Sequence, residues 1–279
     1  MVKIITDSAA DFGLDEAEKL GITVIPMTIK FGSRLYKDRY EITPDEFYSK
    51  LSKADELPQT SQINPDQFDN EFRKIKESGD SAVAVILGSR LSGSYQNAVL
   101  AAQEYDCISV VDSNAVTVGE YCLVQLAVSL RDSGHDAAEI ADILNKKKKC
   151  LVTMGVLDTL KYLKKGGRIS PAAAAIGNVL GIKPVAALSG GEVKLIGKAR
   201  GSKSSHNILN DKIKSGEVDY SLPIAVGYAG SDDTLLKQYI DDSCPLWKDH
   251  VRELPVCRIG STIGTHVGGG TIAVAFFRP

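Results

Sequence analysis

Cysteine is scarce and scattered in this chain, tryptophan occurs once, and neither sign of charge prevails. The five cysteines (Cys107, Cys122, Cys150, Cys244 and Cys257) are odd in number and form no Cys-x-x-Cys pair, which argues against a disulfide framework and against a thiolate zinc site. Lys and Arg total 33 against 35 Asp and Glu, a net charge of −2, so the basic footprint of a nucleic-acid binder is missing. No apolar run approaches the roughly 20 residues of a transmembrane segment, and the opening residues lack the layout of a secretory signal. The expectation is a cytoplasmic protein. His-Glu-x-x-His and carboxylate-rich metal runs are absent too, so no metal cofactor is expected.

What the chain does hold is ordinary globular material: 279 residues, 43% hydrophobic and 24% charged, enough for two domains. Val2–Ile5, Ala82–Leu87 and Ile108–Val111 read as buried strands, each followed by a polar turn and then an amphipathic stretch. Thr43-Pro44-Asp45-Glu46 reads as a capping box with proline at the first helical position, and Asn64-Pro65 repeats the cap-plus-proline pattern. Leu57–Gln62, between those helices, is expected to be an irregular polar connector. Lys146–Lys149 is expected to close a helix, where cations complement the dipole. Gly190-Gly191 between two strand-like runs predicts a hairpin. The expected fold class is α/β, with an N-terminal parallel-sheet α/β domain over residues 1–148 and a C-terminal α+β domain with a largely antiparallel sheet over residues 149–279.

No catalytic signature is complete. Gly88 and Gly93 have the spacing of a phosphate-binding loop, but Ser94 and Tyr95 stand where Lys and Ser/Thr are needed. Ser92 lacks the flanking glycines of a nucleophile elbow. At a strand-to-helix turn it is either a donor to a bound anion or a plain helix cap. Thr60 and Ser61 are either further donors or part of a turn. Arg168, after Gly166-Gly167, is a ligand-facing or a surface cation. The glycine-dense stretch from Gly260 to Gly270 suggests close backbone approach to a ligand, with His266 its one titratable group, in a binding or a structural role. His135, His206 and His250 stand in polar contexts and are expected to be exposed and without a role.

Taken in order, these segments resemble the DegV family of bacterial fatty-acid-binding proteins. Thr6-Asp7-Ser8, Thr60-Ser61-Gln62 after Pro58, Leu91-Ser92-Gly93-Ser94-Tyr95-Gln96, Asp112-Ser113, the run from Tyr162 to Ser170, Ile182-Lys183-Pro184 and the terminal glycine-histidine segment keep the family's order from residue 6 to residue 270. One departure is Gly268-Gly269-Gly270, where the family usually has Gly-Pro-Gly. The resemblance implies a long-chain fatty acid held between two domains, with its carboxylate on the hydroxyls of Thr60 and Ser92. Ser61 and Gly93 come from the same motifs, and Arg168 and His266 lie close to the head group. It further implies a non-catalytic carrier, with no cofactor beyond the bound acid. The carrier presents that acid to a separate fatty acid kinase subunit, which makes an acyl phosphate. Arg200 and Lys203, at a strand-to-helix junction, are either part of a docking surface for that partner or plain solvated cations. The alternative is a serine-dependent hydrolase or acyltransferase using Ser92 and His266.

Overall fold

A strand in the middle of a parallel sheet must be apolar on both faces. Ile4 and Ile5 of β1 (Val2–Asp7) meet that requirement, being fully buried, as are Val83, Ala84 and Val85 of β6 (Ser81–Ile86). With β2 (Ile22–Ile25) and β7 (Ile108–Asp112) they form a four-stranded parallel sheet in the order β2-β1-β6-β7. The computed structural model describes residues 1–170 and 181–279; Ser170-Pro171 reads in the sequence as a helix start, and that helix lies outside the described residues. Helices α4 (Ser94–Ala102) and α5 (Val118–Asp132) follow β6 and β7. Loops at the strand ends are tied by carboxylates. Asp7 accepts from the amides of Ala9 (2.8 Å) and Leu87 (2.9 Å), and Asp112 from those of Ser89 (3.0 Å) and Asn114 (2.9 Å).

The expected capping box forms at Thr43, and the cap-plus-proline pattern at Asn64 closes as a capping box as well. Thr43 and Glu46 open α2 (Pro44–Lys53), and Asn64 and Gln67 open α3 (Pro65–Glu77). A third, Asp136 with Glu139, opens α6 (Ala137–Lys147) and went unread in the sequence. The connector expected at Leu57–Gln62 is corrected: Gln59–Ser61 is strand β5, paired antiparallel with β3 (Thr28–Phe31), which also pairs with β4 (Arg34–Lys37). Three polar residues carry no strand signal of their own, and the free edge of β3 supplies the backbone partner.

In the second half, a six-stranded sheet runs β10-β9-β8-β13-β11-β12. Its strands are β8 (Leu151–Val156), β9 (Ile182–Ser189), β10 (Glu192–Arg200), β11 (Ala225–Ala229), β12 (Val256–Arg258) and β13 (Thr271–Phe277). All pairings are antiparallel except β11 with β12. Gly190 and Gly191 turn the β9–β10 hairpin with φ of +62° and +79°, the backbone a two-residue primed turn requires. Short helix α7 (Lys161–Lys165) follows β8, and α8 (Ser202–Gly216) and α9 (Thr234–Trp247) cover the sheet.

The centre of the glycine-dense stretch is a helix, α10 (Ser261–Val267), and Gly264 within it packs against the chain's own side chains. A Cβ on Gly264 would lie 2.6 Å from Phe47 Cε1 and 2.7 Å from the Tyr48 hydroxyl oxygen, so only glycine lets α10 sit this close to α2. Gly→Ala inside a helix ordinarily stabilises by about 1 kcal/mol. Here overpacking of about 1–3 kcal/mol opposes it. Gly264→Ala should therefore lower the denaturant midpoint; a raised midpoint would mean that α2 yields freely.

Candidate ligand-binding site

Between the two sheets lies a cavity of about 430 Å³. Its wall is mostly apolar: Met27, Leu87 and Leu91 from the first half, and Met154, Leu157, Leu163, Ala186, Leu188 and Val193 from the second, with Ile263 and Val267 of α10. Thr60, Ser61, Ser92, Arg168 and His266 share that wall. Five residues from four separate segments thus meet at one cavity.

Each is positioned by local chemistry. Pairing of β5 with β3 sets Thr60 opposite the fully buried Ile29. Thr60 Oγ1 lies 2.9 Å from His266 Nε2. Ser92 precedes α4, and its Oγ accepts from the amide of Ser94 (3.3 Å) and shares a hydrogen bond with Ser94 Oγ (3.0 Å). The Ser92 amide donates to Gly88 O (3.3 Å), so the turn uses this amide itself and the site is left with hydroxyls. Arg168 is exposed and anchored at the rim, with Nε donating to Leu91 O (3.2 Å) and Nη1 to Gly166 O (2.5 Å). Ser61 is exposed and also lines the cavity. Gly93 is not among the lining residues; it abuts Gln62, whose Oε1 would stand 2.1 Å from a Cβ there.

Helix α10 brings His266 into place and is itself held by carboxylates that sequence reasoning missed. Asp38 accepts from the amides of Ser261 (3.1 Å) and Thr262 (3.0 Å) and from Thr262 Oγ1 (2.6 Å). Asp11 accepts from the Gly260 amide (2.8 Å) and pairs with Arg39 (2.8 Å). Burial pushes the Asp11 carboxyl up to about 6, against the pull of Arg39. His266 is pushed down to about 4, first by burial and then by the Arg168 charge, so its imidazole is neutral at physiological pH. Its Nδ1 has no partner and faces Gly166, where a Cβ would lie 2.2 Å away.

No hydrogen bond joins Ser92 to His266 among the described residues; His266 Nε2 is taken by Thr60, and no carboxylate meets Nδ1. The hydrolase alternative lacks its dyad. His206 corrects the expectation of exposure: it is buried, edge-on to Tyr239, with Nδ1 3.7 Å from Asp242. Arg200 and Lys203 are exposed where β10 meets α8 and do not line the cavity. Among the described residues no group of three metal-ligating side chains is placed to hold a metal, and no helix is long and apolar enough to cross a membrane.

The site thus sets an apolar cavity beside hydroxyls, a neutral imidazole and a rim guanidinium, a combination chemically suited to an amphipathic anion. The chain belongs to the DegV family: the family model, described as an uncharacterised protein family, matches residues 1–278. A DegV domain-containing protein of Caldanaerobacter subterraneus subsp. tengcongensis is 33% identical over 282 aligned positions, 99% of this chain and 98% of that protein. One from Clostridium perfringens is also 33% identical, covering 98% and 96%. Among solved structures, a DegV family protein of Thermus thermophilus described as binding fatty acid superposes with a TM-score of 0.89 at 29% identity, over 100% of this chain and 99% of that one. A stearic-acid-binding protein of Eubacterium ventriosum gives 0.88 at 26%, over 100% and 98%.

The depressed His266 pKa links to stability with a definite sign. Between pH 6.5 and about 4 the unfolded chain protonates this residue and the folded one does not, so its contribution to stability is lost as pH falls through that window. Asp7 and Asp11, both raised to about 6 by burial, act oppositely, but they cancel in a comparison of variants. His266→Gln should flatten the acid side of the stability–pH curve while changing little above pH 7. Denaturant midpoints of both proteins from pH 4 to 7.5 measure the difference, and parallel curves would show that His266 is not buried as described.

Proposed function

We propose that this chain binds a long-chain fatty acid in the cavity between its two domains, residues 1–148 and 149–279, and presents the carboxylate to a separate kinase subunit for acyl-phosphate formation. The observation that carries the reading is the 2.9 Å contact of Thr60 Oγ1 with His266 Nε2 on the wall of an apolar cavity. With the proton on Nε2, the imidazole donates to Thr60 Oγ1, which turns the threonine O–H outward as a donor to a carboxylate. Ser92 supplies a second hydroxyl and Arg168 a cation at the rim. A sixteen-carbon acid gains about 12 kcal/mol gross from burying its chain, at ~0.8 kcal/mol per methylene, before the costs of ordering and association. The tail therefore sets affinity and the hydroxyls set orientation. The exposure of Ser61 and Arg168 leaves the head-group end reachable by a partner, with Arg200 and Lys203 offered as its docking cations.

Mass spectrometry of a solvent extract of the purified protein should recover a long-chain fatty acid; no lipid, together with no binding of added acid, would overturn the reading. Thr60→Ala and Ser92→Ala should each weaken binding by about 10- to 100-fold, the loss of one hydrogen bond to a charged group. Because both hydroxyls serve one carboxylate, the double variant should fall short of additivity in a fluorescence displacement titration. Intrinsic ester turnover abolished by Ser92→Ala at unchanged affinity would instead favour the hydrolase.

A further inference from the structure

A cavity walled by both halves of the chain needs a way in, and the polar contacts that join the halves differ sharply around it. At the first turn of α10 they are buried. Asp38 accepts from the amides of Ser261 and Thr262, Asp11 accepts from that of Gly260, and Tyr48 donates to Ile259 O (3.0 Å). Arg39, paired with Asp11, also donates to Arg258 O (2.8 Å). Parting these groups would strand buried charges without partners, so this end stays tied.

At the rim the contacts stand in water. Arg90 Nη1 meets Glu192 Oε1 at 2.7 Å, with the two side chains 61% and 52% exposed. The exposed Arg168 donates to Leu91 O (3.2 Å). Both contacts run from the second half of the chain to the loop after β6. An exposed ion pair contributes little and is screened by salt. Arg90 and Glu192 each adjoin a cavity-lining residue, Leu91 and Val193, one from either half. The pair therefore spans a seam in the cavity wall.

The tip of the β9–β10 hairpin has a shaped seat at this seam. Gly191 is buried, and a Cβ on it would lie 2.3 Å from Asn114 Oδ1 and 3.4 Å from Arg90 Cγ. With φ of +79° as well, the position favours glycine on two counts. One carboxylate builds the seat: Asp112 holds the amides of both Ser89 and Asn114, which fixes the loops after β6 and β7 side by side. Among the described residues no backbone hydrogen bond joins the hairpin to these loops. Shape and an exposed ion pair hold the tip down.

We propose that the tip of the β9–β10 hairpin is a latch over this seam, held by Arg90 and Glu192, and that the acid enters and leaves where the tip lifts from the loops after β6 and β7 while the α10 end stays tied. The proposal rests on the fatty-acid reading of the cavity and adds the route of exchange to it. Neither Arg90 nor Glu192 lines the cavity. Breaking the pair therefore favours the open form of the free and the loaded protein alike, so that entry and release quicken together and affinity shifts less than either.

The test is stopped-flow fluorescence of the full chain with cis-parinaric acid, with binding followed directly and release followed after excess stearic acid. Glu192→Gln should raise both rate constants by about two- to fivefold and leave Kd nearly unchanged. Combining Arg90→Glu with Glu192→Arg should restore the unmodified rates. Added NaCl should speed release from the unmodified protein more than from Glu192→Gln. Unchanged rates in Glu192→Gln, faster release at an unchanged binding rate, or a charge swap that restores nothing overturns the latch alone. Failure of every acid to bind overturns the fatty-acid reading. The latch is then judged by amide hydrogen exchange of the ligand-free chain: Glu192→Gln should speed exchange across residues 88–92 and 188–193, and unchanged exchange there overturns it.

Discussion

The polar end of the cavity depends on two buried carboxylates, Asp38 and Asp11, that hold the N-terminus of α10. A seven-residue helix has too few internal hydrogen bonds to persist alone. Asp38 satisfies its first amides, and Asp11 fixes the residue before it, so the helix is built from outside. Both acids come from the first 40 residues, whereas the helix lies more than 220 residues later. These hydrogen bonds tie the two halves of the chain together where His266 must meet Thr60. Burying carboxylates is costly unless they are paired, and here helix amides, the helix dipole and Arg39 offset the cost.

The same arrangement explains why the site offers neutral donors where a fixed cation might be expected. His266 is neutral at physiological pH because it is desolvated and because Arg168 stands nearby. Among the described residues that line the cavity, the permanent charge is Arg168, on the rim, where water screens it. A hydroxyl–imidazole pair inside and a guanidinium outside can orient an anion without burying an ion pair, which would carry a desolvation penalty of its own. In a serine hydrolase, by contrast, the histidine must accept a proton from the nucleophile and be oriented by an acid at Nδ1. Gly166 occupies the position that such an acid would need.

How much of this could be read from the sequence follows from how local each determinant is. The parallel strands were legible because continuous apolar runs ending in polar turns need no distant partner to be recognised. The caps at Thr43 and Asn64 were legible because the proline follows each directly, and at Thr43 the acid also lies within four residues. Strand β5 was not, since three polar residues pair only because β3 has a free edge. Strands β8 and β12 were passed over as well. The first follows directly on the Lys146–Lys149 run, and the second has only three residues. At the site, the ordered motifs pointed to Thr60, Ser92, Arg168 and His266, four residues that line one cavity. Nothing in the sequence pointed to Asp38 or Asp11, because an acid that caps a helix more than 220 residues away leaves no pattern around itself. His206 misled for the converse reason. Polar sequence neighbours suggested exposure, yet the ring turns inward on α8 against Tyr239.

The glycines around the head group show why family-like motifs carry positional information that composition does not. Gly166 abuts the His266 ring and Gly93 abuts Gln62, each closer than a Cβ would allow. Neither glycine has φ in the left-handed region, so backbone freedom is not what either supplies. Each leaves room for a side chain next to the cavity to take one position. A methyl group at Gly166 would drive His266 off Thr60, and with it the hydrogen bond that turns the threonine hydroxyl outward. The glycine-rich signature is thus read by the protein's own side chains.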